Sequence, residues 1–379
     1  MDNPDTEKFL LKDHLFNKKE VLKIAGELKA VYPEFEDVLF VKKVVAKFPE
    51  LELMERVYWI QVCLREHLPE DYQAAVKVIL ESLPAPCDPS LSDNDFGSFI
   101  YAPYSYFVSE YGCTKNDLLF SLKALRQLTT RFSVEGPIRF FINEFPRETM
   151  AELPKWARDA HYHVRRLASE GTRPNLPWAK KIDIPYTEGV DILNILHGDK
   201  TRYVTRSVAN HLNDISKVDP DLVVKLIKVW YKLEKQDKRE LDYMTNHALR
   251  TLVKDGHPGA LQLLGYSAKG LTVSNFVIKT KKVAIGGTVE FSFDITSTSD
   301  KTQSLMIDYN LHFKKSKGGL APKTHKISKK LLPAGKTISI SKKHPLKVMT
   351  TRTLYPGVHK IELQINGKKF LGGEFTLVT

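Results

Sequence analysis

Cysteine is scarce: Cys63, Cys87 and Cys113 are the three in 379 residues. They are odd in number and contain no CxxC pair, so they supply neither a disulfide framework nor a thiolate zinc site, and they are expected to be buried and reduced. The opening segment MDNPDTEKFLLKDHLFNKKEV lacks an uninterrupted apolar core and is charged throughout. It is expected to be neither a secretory signal nor a membrane anchor, and a cytoplasmic location follows by default. No Gly-rich phosphate loop and no nucleophile elbow occur, which argues against a nucleotide hydrolase and an esterase. There is no HExxH either, and His161 and His163 stand only two apart, so neither a metal nor a cofactor is expected.

Negative charge is thin at one end of the chain. From Leu271 to Thr379 there are 19 Lys and Arg against 6 Asp and Glu, whereas residues 1–110 carry 12 basic and 20 acidic side chains. The net charge of +12 therefore resides almost wholly in the last third. A polyanion should avoid the acidic start and approach the later helices and the C-terminal region. With 42% hydrophobic and 27% charged residues, the chain has the balance of a soluble globular protein of one large or two ordinary domains.

Residues 7–82 carry apolar positions at three- and four-residue steps, as in Val21-Leu22, Ile24-Ala25 and Leu28, and read as helices. The run from Pro84 to Tyr106, rich in Pro, Asp, Ser and Gly, reads as a long interhelical loop. Helical periodicity resumes near Asn116 and runs to about Leu264, punctuated by prolines suited to the ends of short helices. Within it, Val164-Arg165-Arg166-Leu167-Ala168-Ser169 is echoed about 40 residues later by Val204-Thr205-Arg206-Ser207-Val208-Ala209, a spacing typical of HEAT-type helical repeats. From Leu271 the period becomes two. TVEFSFDIT (288–296), SLMIDYNLHF (304–313), KTISIS (336–341) and HKIELQI (359–365) alternate apolar with polar, the rhythm of an immunoglobulin-like sandwich. The expected fold is mainly α: a HEAT-like helical-repeat solenoid over residues 1–268, then a basic immunoglobulin-like β-sandwich over 272–379.

The densest chemistry lies between Trp156 and Trp178, where four arginines, Glu170 and two of the four tryptophans fall in what reads as one helix and its outgoing turn. Arg165, Arg166, Arg173, Arg202 and Arg206 recur at similar phase and are expected to line a concave face, where guanidinium forks grip phosphate oxygens; the competing reading is a ladder of interhelical salt bridges. Glu170, one turn beyond Arg166, is either a carboxylate aimed at cationic charge on a substrate or a plain intrahelical ion pair. Glu135 and Asp214 are further candidate acids, or else caps and structural pairs. Trp156 and Trp178 offer faces to a cation or a sugar, or serve as core aromatics; Pro177 is expected to place Trp178 exposed at a helix start. In the basic C-terminal region, Lys314-Lys315, Lys317, Lys329-Lys330, Lys342-Lys343 and Lys368-Lys369 read as turn and strand-end cations able to reach a phosphate backbone, or as edge-strand protection.

HVRRLASEGTRPNLPW, followed by YVTRSVANHLNDISK and HALRTLVKDGHPGALQLLG, resembles the AlkC branch of the AlkC/AlkD family of bacterial DNA alkylation-repair glycosylases, over most of residues 1–270. The resemblance implies a HEAT-like cradle for double-stranded DNA, sometimes with an added immunoglobulin-like domain. It also implies excision of cationic N-alkylated bases, chiefly 3-methyladenine and 3-methylcytosine, without flipping the base into a pocket. Carried onto this sequence, Glu135, Glu170 and Asp214 become the catalytic carboxylates, Trp178 the aromatic wall, and Arg165 and Arg166 duplex contacts. VEGPIRFF departs from the EFAIR-type pattern of the branch, placing Gly136-Pro137 beside Glu135. The alternative is a non-catalytic HEAT-repeat nucleic-acid-binding or scaffold protein. A monomer is the default for a solenoid that wraps DNA.

Overall fold

The computed structural model describes residues 10–93, 96–348 and 353–379. Residues 7–9 of the expected helical start lie outside the described residues. The chain forms two compact units: one runs up to Ile215 and adds Leu233–His247, and the other comprises Ser216–Lys232 with Ala248–Thr379.

The first unit is a stack of short helices. Lys18–Val31 buries Val21, Ile24, Ala25 and Leu28, one apolar stripe at helical spacing, and starts at Asn17, whose side chain accepts from the Glu20 amide. Leu53–His67 opens with a capping box in which Glu52 and Glu55 satisfy each other's backbone amides. The echoed segments become neighbouring helices, Tyr162–Glu170 and Arg202–Ile215. Val164, Leu167 and Ala168 of the first, and Val204, Val208 and Ala209 of the second, are buried, each large aliphatic contributing about 1.5–3 kcal/mol. The small Ser169 and Ser207 let the helices approach until their hydroxyls bond at 2.9 Å.

Three expectations need correction here. The segment read as loop from Pro84 to Tyr106 ends early, because Phe99–Tyr101 is a 3-10 turn leading straight into the helix Ala102–Gly112; Pro103 sits in that helix's first turn, where its missing N–H costs nothing. The Trp156–Trp178 stretch is not one helix. Trp156 ends the helix Pro146–Trp156, and a new helix starts at Tyr162. Of the cysteines, Cys63 is buried, while Cys87 and Cys113 are only partly so.

Among the described residues, the second unit contains eight strands: β1 (Leu271–Ile278), β2 (Lys282–Ala284), β3 (Thr288–Ser297), β4 (Gln303–Lys314), β5 (Leu320–Leu332), β6 (Thr337–Pro345), β7 (Gly357–Ile365) and β8 (Lys368–Val378). They form a three-stranded sheet, β1-β3-β6, and a five-stranded sheet, β2-β8-β7-β4-β5. Between them lies a core of alternating residues, Val289, Phe291, Phe293 and Ile295 from β3 with Leu305, Ile307, Tyr309 and Leu311 from β4. Lys329-Lys330 and Lys342-Lys343 lie inside β5 and β6, which are edge strands, rather than at turns; Lys314 ends β4, and Lys368-Lys369 begin β8. The short helices Arg250–Asp255 and Pro258–Leu263 belong to this unit. Gln364 donates to the Lys254 carbonyl, Asn366 donates to the Ser267 carbonyl, and Gly256 meets Gly367 so closely that a Cβ on Gly256 would lie 2.7 Å from the Gly367 oxygen. The unit therefore begins earlier in the chain than the change of periodicity at Leu271.

Candidate active site

Glu135 lies in the turn before the helix Ile138–Glu144 and is held from two sides. The Ser133 hydroxyl donates to it at 2.6 Å, and Arg166 Nη1 donates at 2.6 Å. On the other side of the guanidinium, Arg166 Nη2 stands 3.6 Å from Glu170 Oε1. Glu170 in turn accepts from Arg173 Nη1 at 2.5 Å and from the Ser207 hydroxyl at 2.6 Å, and Arg173 Nε donates to Asp214 at 2.9 Å. The three candidate carboxylates are thus strung on two arginines: Glu135, Arg166, Glu170, Arg173, Asp214. Arg166 also lies with its guanidinium carbon 4.5 Å from the Tyr203 ring centroid.

Burial divides the acids. The Glu135 side chain is 31% exposed, against 5% for Glu170 and 3% for Asp214. For Glu170, burial works to raise the pKa, but the charges of Arg166 and Arg173 and the Ser207 hydrogen bond overcome it and hold the carboxyl below its usual range. For Arg166, burial works against the charge and the two glutamates more than restore it. Arg139, fully buried, is pushed down to about 10 by burial and by the neighbouring Arg173. Glu170 and Asp214 therefore lie behind, and Glu135 is the one of the three that reaches the surface.

It reaches a small cleft of about 110 Å³ lined by Tyr106, Ser133, Glu135, Gly136, Leu176 and Trp178, among others. Trp178 is 89% exposed and adopts φ 60°, a left-handed conformation that is uncommon and strained for a bulky residue. It stands in a turn after Pro177 rather than at a helix start. Gly136 accounts for the departure beside Glu135: a Cβ there would come within 2.6 Å of the Tyr106 hydroxyl, so only glycine lets the phenol lie over this turn. Burial raises the Tyr106 pKa and keeps it a neutral donor.

The arginines expected to line a concave face follow the competing reading of an ion-pair ladder. Arg165 pairs with Asp199 at 2.5 Å, Arg202 with Glu240 at 2.5 Å while lying over the Tyr243 ring, and Arg206 with Asp93 at 2.5 Å. With Arg166 and Arg173 engaged as above, all five form an ion-pair ladder between segments, and Arg173 is 8% exposed. Trp156, at 5% exposure, is a core aromatic and not a surface contact. His161 accepts from the His163 amide and so caps the helix Tyr162–Glu170. Among the described residues, no group of three or more His, Cys, Asp or Glu is arranged to hold a metal ion.

Sequence reasoning does not single out Tyr106, Ser133, Arg139, Tyr203 or Ser207. The helical echo carries a signal for Ser207, which stands where Leu167 stands in the earlier segment. Arg139 gives none, since its partners are backbone carbonyls.

Residues 129–252 match the family profile described as DNA alkylation repair enzyme, and residues 272–379 match that of the C-terminal Ig-like domain of the uncharacterised protein YhaZ. The chain is 32% identical to uncharacterised protein YhaZ of Bacillus subtilis over 359 residues, 93% of this chain and 96% of that one. It also superposes on the Pseudomonas fluorescens alkylpurine DNA glycosylase AlkC, solved bound to DNA containing an abasic-site analogue, with a TM-score of 0.82 and 33% identity, covering 98% of this chain and 100% of that one. A helical-repeat unit followed by a β-sandwich, matched along nearly its whole length at about one-third identity, places this chain in the AlkC branch of the AlkC/AlkD family of DNA alkylation-repair proteins.

Proposed function

We propose that this protein is a DNA glycosylase that hydrolyses the N-glycosidic bond of cationic alkylated bases, 3-methyladenine and 3-methylcytosine, in duplex DNA while the base stays in the stack. The observation that carries the reading is the pairing of a fixed, partly exposed carboxylate, Glu135, with the exposed indole of Trp178 in one cleft.

An N-alkylated base already carries positive charge, so the bond from its nitrogen to C1′ breaks with both electrons moving onto the base, which leaves neutral. No acid is needed to protonate it. The deoxyribose is left as an oxocarbenium-like cation, which Glu135 stabilises electrostatically and the Trp178 face shields. Water then adds at C1′, and Glu135 is placed to accept its proton. Arg166 and Ser133 hold the carboxylate in a single orientation, while Glu170 and Asp214 hold Arg166 and Arg173 in place.

The size of the cleft supports reaction without base flipping. At about 110 Å³ it falls well below the roughly 300–1,000 Å³ of sites that enclose a small molecule. It suits a sugar edge approached from outside rather than an extruded nucleotide. On the sandwich, Lys314, Lys315, Lys342 and Lys343 are the side chains we assign to phosphate contacts that clamp the duplex.

The test is release of free 3-methyladenine from methylated duplex DNA, followed by chromatography, with no metal or cofactor added. Free base together with abasic sites is the expected result. Tight binding of the methylated duplex with no base released would instead favour a non-catalytic DNA-binding protein.

A further inference from the structure

The Trp178 indole is 89% exposed, so packing of its side chain does little to fix its position, and its backbone sits in the left-handed region. The segment that carries it, residues 171–183, contains neither helix nor strand. Such a segment should sample many conformations unless other groups fix its backbone.

Two side chains do so. Arg139 donates through Nη1 to the Gly171 carbonyl at 3.0 Å and to the Arg173 carbonyl at 2.9 Å, and through Nε to the Lys180 carbonyl. Asn143 donates to the Lys181 carbonyl at 2.9 Å and accepts from the Asp183 amide at 2.9 Å. Both lie on the helix Ile138–Glu144, four residues apart and hence on one face. They grip the loop on both sides of Trp178. Arginine suits this task because its planar guanidinium presents several donors in a fixed fork, so one side chain reaches three carbonyls. A fully buried guanidinium facing carbonyls rather than a carboxylate is an unusual use of charge, and it sits close to Arg173 of the carboxylate chain.

The same helix is preceded directly by the turn that carries Glu135. Carboxylate and indole are therefore referenced to one short rigid element, although Glu135 and Trp178 are 43 positions apart in the chain. We propose that Arg139 and Asn143 are positioning residues that splint the 171–183 loop to the helix Ile138–Glu144 and so set the place of the Trp178 indole relative to Glu135. The inference rests on the glycosylase reading for its effect on base release, but the splint itself is a mechanical claim that can be read separately.

The experiment uses the full-length protein with Asn143→Ala and Arg139→Lys, each alone and combined with Trp178→Ala, in a double-mutant cycle on single-turnover release of 3-methyladenine from methylated duplex. With Trp178 present, Asn143→Ala should slow release ~3–10-fold and Arg139→Lys more than ~10-fold, since small misplacements of a positioned group cost up to about 10²-fold, while affinity for the duplex stays within ~2-fold. In the Trp178→Ala background both effects should largely vanish, because the splint then has nothing to position. Equal slowing with and without Trp178, or no slowing in either variant, overturns the proposal. The second readout is the time-resolved fluorescence anisotropy of Trp178, taken as the difference between each protein and its Trp178→Phe counterpart. It should fall faster in both splint variants, and an unchanged decay likewise overturns the splint. If the wild type releases no base while the anisotropy changes as expected, the glycosylase reading fails and the splint stands.

Discussion

Arg166 donates to Glu135 across 2.6 Å, and the same guanidinium stands 3.6 Å from the buried Glu170. One cation thus joins the acid of the cleft to the acid behind it. Arg166→Ala removes the partner of Glu135 and one of the two cations beside the buried Glu170, and should destabilise the fold by up to about 3 kcal/mol. Arg166→Lys keeps the charge but loses the fork, and should fold with a smaller loss while releasing base at least ~10-fold more slowly. Urea unfolding and single-turnover assays on both variants check this, and wild-type rates in Arg166→Lys would show that Glu135 needs no such orientation.

Trp178 should behave in the opposite way, as a residue that costs stability and supplies function. Trp178→Gly removes a side chain that is almost wholly exposed and relieves the positive φ, so its unfolding midpoint should equal or exceed that of the wild type. Base release should nevertheless fall. A clear loss of stability in Trp178→Gly would mean that the indole packs within the free protein.

The sandwich and the stacked helices on one hand, and the partners of the arginines on the other, mark how far the sequence can be read. Period-two alternation in β3, β4 and β7 reveals the sandwich, because each of these strands has one face in the core. The echo of Val164–Ser169 in Val204–Ala209 reveals stacked helices, because both segments bury the same phases. For the arginines the sequence leaves two readings open, because helical phase shows which side a residue faces and not which acid waits there: Asp199 lies 34 positions from Arg165, and Glu240 lies 38 from Arg202. Glu170 looks available for the same reason, since Ser207, 37 positions on, is invisible as its donor. Arg139 is silent because a carbonyl has no sequence signature, and the helix Ala102–Gly112 is missed because Pro103 reads as a breaker although it stands in the first turn.

His211 gives the protein an acid-sensitive interior. Its Nδ1 donates to the Ser169 carbonyl at 3.0 Å, and its Nε2 is buried with no hydrogen-bond partner among the described residues, close to Gly189. Burial pushes its pKa down from 6.5 to about 4. The unfolded chain therefore binds the proton more readily between these values. The stability from a neutral His211 is fully present above pH 6.5 and lost as pH falls toward 4, amounting to about 3 kcal/mol. Glu170, whose carboxyl is held below its usual 4.5, adds a further loss as pH falls below that value. Stability measured from pH 7.5 to 4 should show this slope in the wild type and a shallower one in His211→Asn, which keeps a donor near Nδ1 but does not titrate. Parallel curves would remove His211 as the cause.

The sandwich lysines are tested better by point substitution than by deletion, since the helices Arg250–Asp255 and Pro258–Leu263 belong to the same compact unit. Lys342→Ala with Lys343→Ala should leave folding intact and lower the slope of log affinity against log salt by about 2, one for each phosphate no longer neutralised. A slope equal to the wild type would leave these lysines as edge protection for β6.

The most direct measurement is single-turnover release of 3-methyladenine from duplex DNA by wild type, Glu135→Gln and Glu170→Gln, with unfolding curves for the same three proteins. Glu135→Gln should remain nearly as stable as the wild type, because its carboxylate is the partly exposed one, and should lose release by about two orders of magnitude or more while still binding the duplex. Glu170→Gln should lose stability by about 1–3 kcal/mol as well as release, since its partners Arg166 and Arg173 are left short of charge. Full base release by Glu135→Gln, with the protein folded and bound, would contradict the assignment of this carboxylate and of its cleft as the site of reaction.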